Sequence, residues 1–119
     1  MEVTAELNPV VYHCLTPDPA QALFFGGGAM GGTLHTPDDS LYLLISRGDI
    51  WNEKGGMGSI AAVRLRGTPG LFRYSSPVMQ TCDIAAAEIR IQLATKDGPV
   101  DISVRCLRGK DALIIDITD

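Results

Sequence analysis

The sequence has few cysteines, no long hydrophobic run and no excess of positive charge, and each shortage excludes a class of protein. Three cysteines without the close spacing of a disulfide framework or a zinc site, Cys14, Cys82 and Cys106, are interpreted as small buried side chains of a reducing compartment. The longest apolar stretches, such as Leu41 to Ile45, fall far short of the roughly 20 residues that cross a bilayer. The net charge of −4 argues against nucleic-acid binding. We therefore expect no metal, cofactor, membrane or nucleic acid as a partner.

The N-terminus and the composition indicate one globular domain over residues 1–119. Hydrophobic residues make up 45% of the chain and charged residues 20%, which is typical of a compact fold, and 119 residues leave no room for two cores. Glu2 and Glu6 stand where a signal peptide carries Lys or Arg. No export signal is therefore expected, and a chain complete at this length is predicted to be cytoplasmic.

Alternation of apolar and polar residues in the last third of the chain predicts three antiparallel strands joined by turns at 96–99 and 108–111. The third of these strands ends the sequence with an open edge. Unpaired backbone groups at such an edge favour self-association, so we predict a dimer. The apolar positions of the three strands are Ile89, Ile91 and Leu93, then Val100, Ile102, Val104 and Cys106, then Leu113, Ile115 and Ile117.

The same reasoning predicts earlier strands at 10–12, 29–35, 40–46, 61–65 and 78–83. No capped helix of ten residues is present, because the alanine-rich segment from Asp83 to Ile89 merges into an alternating strand. Seven or eight short strands with frequent turns indicate an all-β fold. We predict an antiparallel β-sandwich, complete or half of a larger one.

Gly26, Gly28 and Gly31 satisfy the bare spacing of a dinucleotide-binding loop. A phosphate would need a helix that begins at the last glycine, and Thr36-Pro37 follows too soon for one. The glycines are better interpreted as a surface loop with positive φ, or as a place where a ligand or another backbone approaches closely. Gly26 and Gly28 are kept as candidate ligand-binding residues.

The only Trp of the chain follows a predicted strand, among charged and amide side chains. An indole face stacks on a pyranose while carboxylates and amides take the hydroxyl groups, so Asp49, Trp51, Asn52 and Glu53 are candidate sugar-binding residues. The alternative is an ion pair of Arg47 with Asp49 or Glu53, and an indole that closes the sandwich. No nucleophile, base and orienting group can be placed together, so we expect no catalytic residues.

Two segments carry a resemblance to a known family: residues 24–32, FFGGGAMGG, and residues 41–53, LYLLISRGDIWNE. They resemble the start of the N-terminal β-sandwich domain of glycoside hydrolases related to the family 95 α-L-fucosidases, and most of all its uncharacterised relatives. Residues 57–65 and 80–85 resemble the elements that follow there. Gly27 stands where that family usually has Asn.

In that family the sandwich precedes a helical barrel that carries the catalytic carboxylates, and this chain contains no such barrel. The resemblance therefore implies a non-catalytic accessory domain, corresponding to the first half of the family's sandwich. Such a domain supports a sugar cleft or an assembly, and a helical catalytic domain is an implied partner. The alternative function is a free-standing carbohydrate-binding module that uses the Trp51 loop.

Overall fold

The computed structural model describes residues 8–51, 57–107, 109–110 and 112–119, with the backbone alone at Ile50, Trp51 and Met57. The described residues form nine β-strands and one short 3₁₀ helix, Pro19–Gln21. None of the helical segments among them is long and apolar enough to span a membrane. The strands are β1 Val10–Tyr12, β2 Leu23–Gly27, β3 Met30–His35, β4 Leu41–Trp51, β5 Met57–Leu65, β6 Val78–Asp83, β7 Glu88–Thr95, β8 Gly98–Cys106 and β9 Leu113–Thr118.

The strands form two antiparallel sheets. One sheet has the order β1-β6-β7-β8-β9 and the other the order β2-β3-β4-β5. Apart from β1, each sheet is a meander in which consecutive strands are neighbours, which is the arrangement that short turns allow. The prediction of an all-β antiparallel sandwich is therefore confirmed, with nine described strands instead of seven or eight.

The core lies between the two sheets and is built from the alternating positions that predicted the strands. Register pairs Ile89 with Val104 and Ile91 with Ile102, and all four side chains are buried. In the other sheet Leu34 pairs with Leu43, and both are buried as well. Neighbouring strands of each sheet thus present their apolar residues on the same face, as the two-residue period of a strand requires.

Strand β2 lies across β6, β7 and β8 of the larger sheet. The Cys82 thiol of β6 donates to the Phe24 carbonyl at 3.4 Å, and Gly27 lies against Cys106 of β8. Sheet overlap is therefore centred on β6, β7 and β8, so the outlying strands β5 and β9 are less well covered. Ile117 of β9 is 60% exposed, although its register partner Ile102 is buried.

The turn between β3 and β4 is fixed by one carboxylate. Asp38 and Asp39 both have positive φ, 48° and 56°, the combination found in type I′ hairpin turns. The Asp39 carboxylate accepts backbone N–H hydrogen bonds from Gly70 at 2.6 Å, and from Phe72 and Arg73 at 2.9 Å each. This side chain ties the hairpin turn to the connection that leads from β5 to β6.

A buried glutamine holds the N-terminal segment against β6. The side-chain amide of Gln80 donates to the Cys14 carbonyl at 2.7 Å and to the Thr16 hydroxyl at 3.3 Å. The Thr16 backbone N–H in turn donates to the Thr36 hydroxyl at 2.7 Å. The chain entering from β1 is therefore fastened to both sheets.

The main strand that the sequence failed to predict is β2, Leu23–Gly27. Only Leu23 and Phe25 provide its buried side chains, and glycines follow directly. The interpretation of all three cysteines as buried is wrong for Cys14, which is exposed, whereas Cys82 and Cys106 are half-buried.

Candidate functional site

The glycine-rich segment forms the hairpin between β2 and β3. Gly28 has φ +70° at the first position of its two-residue turn, a conformation that glycine adopts without steric cost. At Gly32 an added Cβ would lie 1.9 Å from the Leu44 carbonyl oxygen and 2.8 Å from the Phe25 ring. Glycine at position 32 is therefore required by the approach of β4 and by the phenyl ring that covers it.

This hairpin meets the strand that carries Trp51. Register pairs Gly31 with Ser46 and Met30 with Arg47, and the Gly48 N–H donates to the Ala29 carbonyl at 2.9 Å. Two segments that the sequence singled out separately thus lie side by side. Asp49 and the backbone of Trp51 continue along β4 directly beyond this contact.

An open cleft of about 760 Å³ lies between the glycine hairpin, strand β4 and the turn that joins β6 to β7. Its walls are mainly glycine and alanine, so backbone amides and carbonyls are accessible to a ligand. The turn opposite the hairpin is fixed by the Asp83 carboxylate, which accepts from the Ala86 N–H at 3.0 Å. The lining residues outside the hairpin are Ser46, Gly48, Ala85, Ala86, Ala87 and Cys106.

One ion pair adjoins the cleft and one thiol lines it. Arg47 Nε donates to Asp49 Oδ1 at 2.6 Å, and this hydrogen bond lowers the pKa of the Asp49 carboxyl. The ion pair weighed from the sequence between Arg47 and Asp49 is therefore present. Burial raises the pKa of the Cys106 thiol, so it stays protonated at neutral pH and is a weak nucleophile.

A second, more apolar hollow of about 380 Å³ adjoins the cleft, and Gly26 and Ala87 line both. Exposed side chains of Val10, Phe24 and Ile84 border this hollow, and the Phe24 ring is 72% exposed. Sequence reasoning missed Phe24 as a site residue. The available signal was the pair Phe24-Phe25, since only one of two adjacent side chains in a strand can face the core.

The structure thus places three of the predicted site residues at or beside the cleft, and the side chains of the other three are not described. Gly26 and Gly28 line the cleft, and Asp49 lies just beyond it on β4. Asn52 and Glu53 lie outside the described residues, as does the side chain of Trp51. Within the described ranges, no three His, Cys, Asp or Glu side chains are grouped as a metal site would require.

Comparison with protein-family models, curated proteins and solved structures finds no match to this chain. The resemblance to the family 95 glycoside hydrolases therefore remains a prediction.

Proposed function

We propose that the chain is a non-catalytic accessory β-sandwich domain that supports a sugar cleft. The observation that carries the proposal is the hydrogen bond from Gly48 to Ala29, which places the glycine hairpin beside the strand of Trp51. An open cleft of about 760 Å³ lies at this junction, within the usual size range of ligand pockets.

The chemistry of the surroundings suits sugar binding better than bond cleavage. Sugars present apolar ring faces together with many hydroxyl groups, and aromatic rings with hydrogen-bonding groups recognise both. Here Phe24 offers an exposed aromatic ring at the hollow that adjoins the cleft. The glycine and alanine residues that line the cleft leave its backbone accessible. Asp49, held by Arg47, adds an acceptor on the side of β4.

The test uses the glycosidase that the proposal requires. We expect the same or a neighbouring reading frame to encode a catalytic glycosidase, whose kcat/KM for oligosaccharides rises when this chain is added. Phe24→Ala should reduce that gain. The matched control is Tyr74→Ala, because Tyr74 is 78% exposed on a different segment. Absence of an encoded glycosidase, an unchanged kcat/KM, or hydrolysis by the chain alone would refute the accessory role.

A second candidate function is a free-standing carbohydrate-binding module, which the exposed Phe24 ring beside the second hollow favours. In that case the isolated chain binds oligosaccharides by itself in isothermal titration calorimetry. Binding should be lost in Phe24→Ala and Trp51→Ala and kept in Tyr74→Ala. No heat from any oligosaccharide rules out the module and leaves the accessory role standing.

A further inference from the structure

The two sheets have four edges, and three of them are protected in ways that proteins commonly use. Strand β1 has only three residues and follows Pro9. The Phe24 carbonyl of β2 accepts from the Cys82 thiol of the other sheet. Strand β5 has one extra residue, Ile60, because Ile45 pairs with Ala61 whereas Ser46 pairs with Ser59. Such a bulge disturbs the edge for further pairing.

The fourth edge, on β9, has none of these protections. Its six residues pair with β8 without a register shift and contain no proline. Among the described strands, no partner lies along its other side. With respect to the residues that the structure describes, this edge is therefore a regular strand whose outward N–H and C=O groups have no partner.

Apolar side chains of β9 continue the core beyond the overlap of the two sheets. Leu113 and Ile115 are half-buried, and Ile117 is 60% exposed. Their register partners on β8 are Cys106, Val104 and Ile102, so all three face the core side of the sheet. Leu113 and Ile115 are thus partly covered whereas Ile117 is not, which leaves apolar surface next to the free edge.

We infer that β9 pairs with β9 of a second copy of the chain, antiparallel and around a twofold axis at Ile115. A twofold axis perpendicular to the joined sheet leaves the core-side face of one copy continuous with the core-side face of the other. Two opposed residues must therefore point to the same face of the joined sheet. Residues of one strand do so only when their numbers are both odd or both even, so the two numbers sum to an even value. With Ile115 opposite its own copy, Leu113 lies opposite the partner's Ile117. The six apolar side chains then form one continuous row.

Two neighbouring registers compete with this one. With the axis at Ile114, Ile117 would lie beyond the end of the partner strand, which begins at residue 113, so the apolar row would be shorter. Charge excludes the other register. A shift of the axis to Asp116 would place two carboxylates directly opposite each other, which is unfavourable. With the axis at Ile115, Asp116 instead lies opposite the partner's Ile114. Arg105 lies between Glu88 of β7 and Ile114 of β9 on the outer face, so Arg105 and the partner's Asp116 occupy one row, about 10 Å apart at two strand spacings. This attraction occurs twice in the dimer but is weak at about one Debye length, so it only adds to the preference that the apolar row gives.

Sedimentation equilibrium of the 119-residue chain at micromolar concentrations measures the proposed association. We expect a monomer–dimer equilibrium, and Ile117→Lys should raise the dimer Kd about a hundredfold, because the substitution occurs twice in each dimer. The matched control is Ile60→Lys, which changes an isoleucine that is 44% exposed on the bulged edge of β5. This control should leave the Kd unchanged, and circular dichroism should show both variants folded.

Hydrogen exchange locates the interface independently of the variants. Amides of β9 should gain protection as the concentration of the chain rises, and Ile117→Lys should abolish that gain. A monomer at every concentration overturns the inference, as does a dimer that survives Ile117→Lys or is broken by Ile60→Lys. If a strand of an unrelated protein is the true occupant of this edge, the isolated chain stays monomeric at every concentration.

Discussion

Asp39 gives the sharpest test of how this fold is held together. Its carboxylate accepts three backbone N–H groups, from Gly70, Phe72 and Arg73. Asp39→Asn preserves the shape of the side chain, but it removes the charge and turns one acceptor oxygen into a donor. A net hydrogen bond to a charged group contributes about 1.5–3 kcal/mol, and solvent can rescue part of this loss at a partly exposed turn. We expect a loss of about 1–3 kcal/mol in the free energy of unfolding.

The neighbouring aspartate provides the matched control. Asp38 is exposed and has nearly the same positive φ, and asparagine tolerates that conformation. Thermal unfolding followed by circular dichroism should show the midpoint of Asp39→Asn lowered by about 5–15 °C, with Asp38→Asn close to the unchanged protein. Equal midpoints for the two variants would refute the assigned role of the three hydrogen bonds.

The same contact has a pH signature. The backbone hydrogen bonds, those of Arg73 and Gly70 foremost, lower the pKa of Asp39 from its usual 3.8. A carboxyl whose pKa is lower in the folded state stabilises the fold fully above its unfolded value, and that contribution is lost as pH falls through the lower folded value. The difference in unfolding free energy between the unchanged protein and Asp39→Asn should therefore shrink below about pH 4. A difference that stays constant down to pH 2 would contradict this cause.

Three further predictions follow from other contacts. Gly32→Ala should cost about 2–4 kcal/mol in urea unfolding, because its Cβ meets backbone, whereas Gly58→Ala, with open space around the added Cβ, should cost less than about 0.5 kcal/mol. Burial and the charge of Arg64 lower the pKa of His35 from 6.5, so stability should fall as pH drops below about 6.5, and His35→Asn should reduce that slope. A thiol reagent should modify exposed Cys14 quickly and half-buried Cys106 slowly, and equal rates would contradict the raised pKa of Cys106.

Alternation made most of the strands predictable, because each sheet buries one face and exposes the other. Ile89, Ile91 and Leu93 show this on β7, where the three apolar side chains are buried. Strand β2 was not predicted because two buried side chains followed by glycines are too few to establish the two-residue alternation of a strand. How far β2 crosses the larger sheet depends on long-range packing, which no local pattern encodes.

The candidate site was only partly predictable for a related reason. The residue types of the glycine hairpin and of the Trp51 segment pointed to ligand binding, but their adjacency depends on the register of β3 with β4. That register follows from the turn at Asp38 and Asp39, whose backbone conformation the sequence only suggests. The exposure of Phe24 depends on which of two adjacent rings faces the core, and β2 as a whole had to be seen to decide it.

The attachment of β1 through Gln80 closes a long loop, and the length of this loop predicts a late step in folding. Val10 pairs with Cys82, and Gln80 reaches Cys14 across 66 positions of sequence, so this part of the sheet closes a long loop. The meander from Leu23 to Leu65 needs only short loops, which close at a much smaller entropic cost. During synthesis, strands β2 to β5 can therefore pair with one another before β6, the partner of β1, has been made. We therefore expect β1, which precedes the other described strands in the sequence, to be among the last of them to pair.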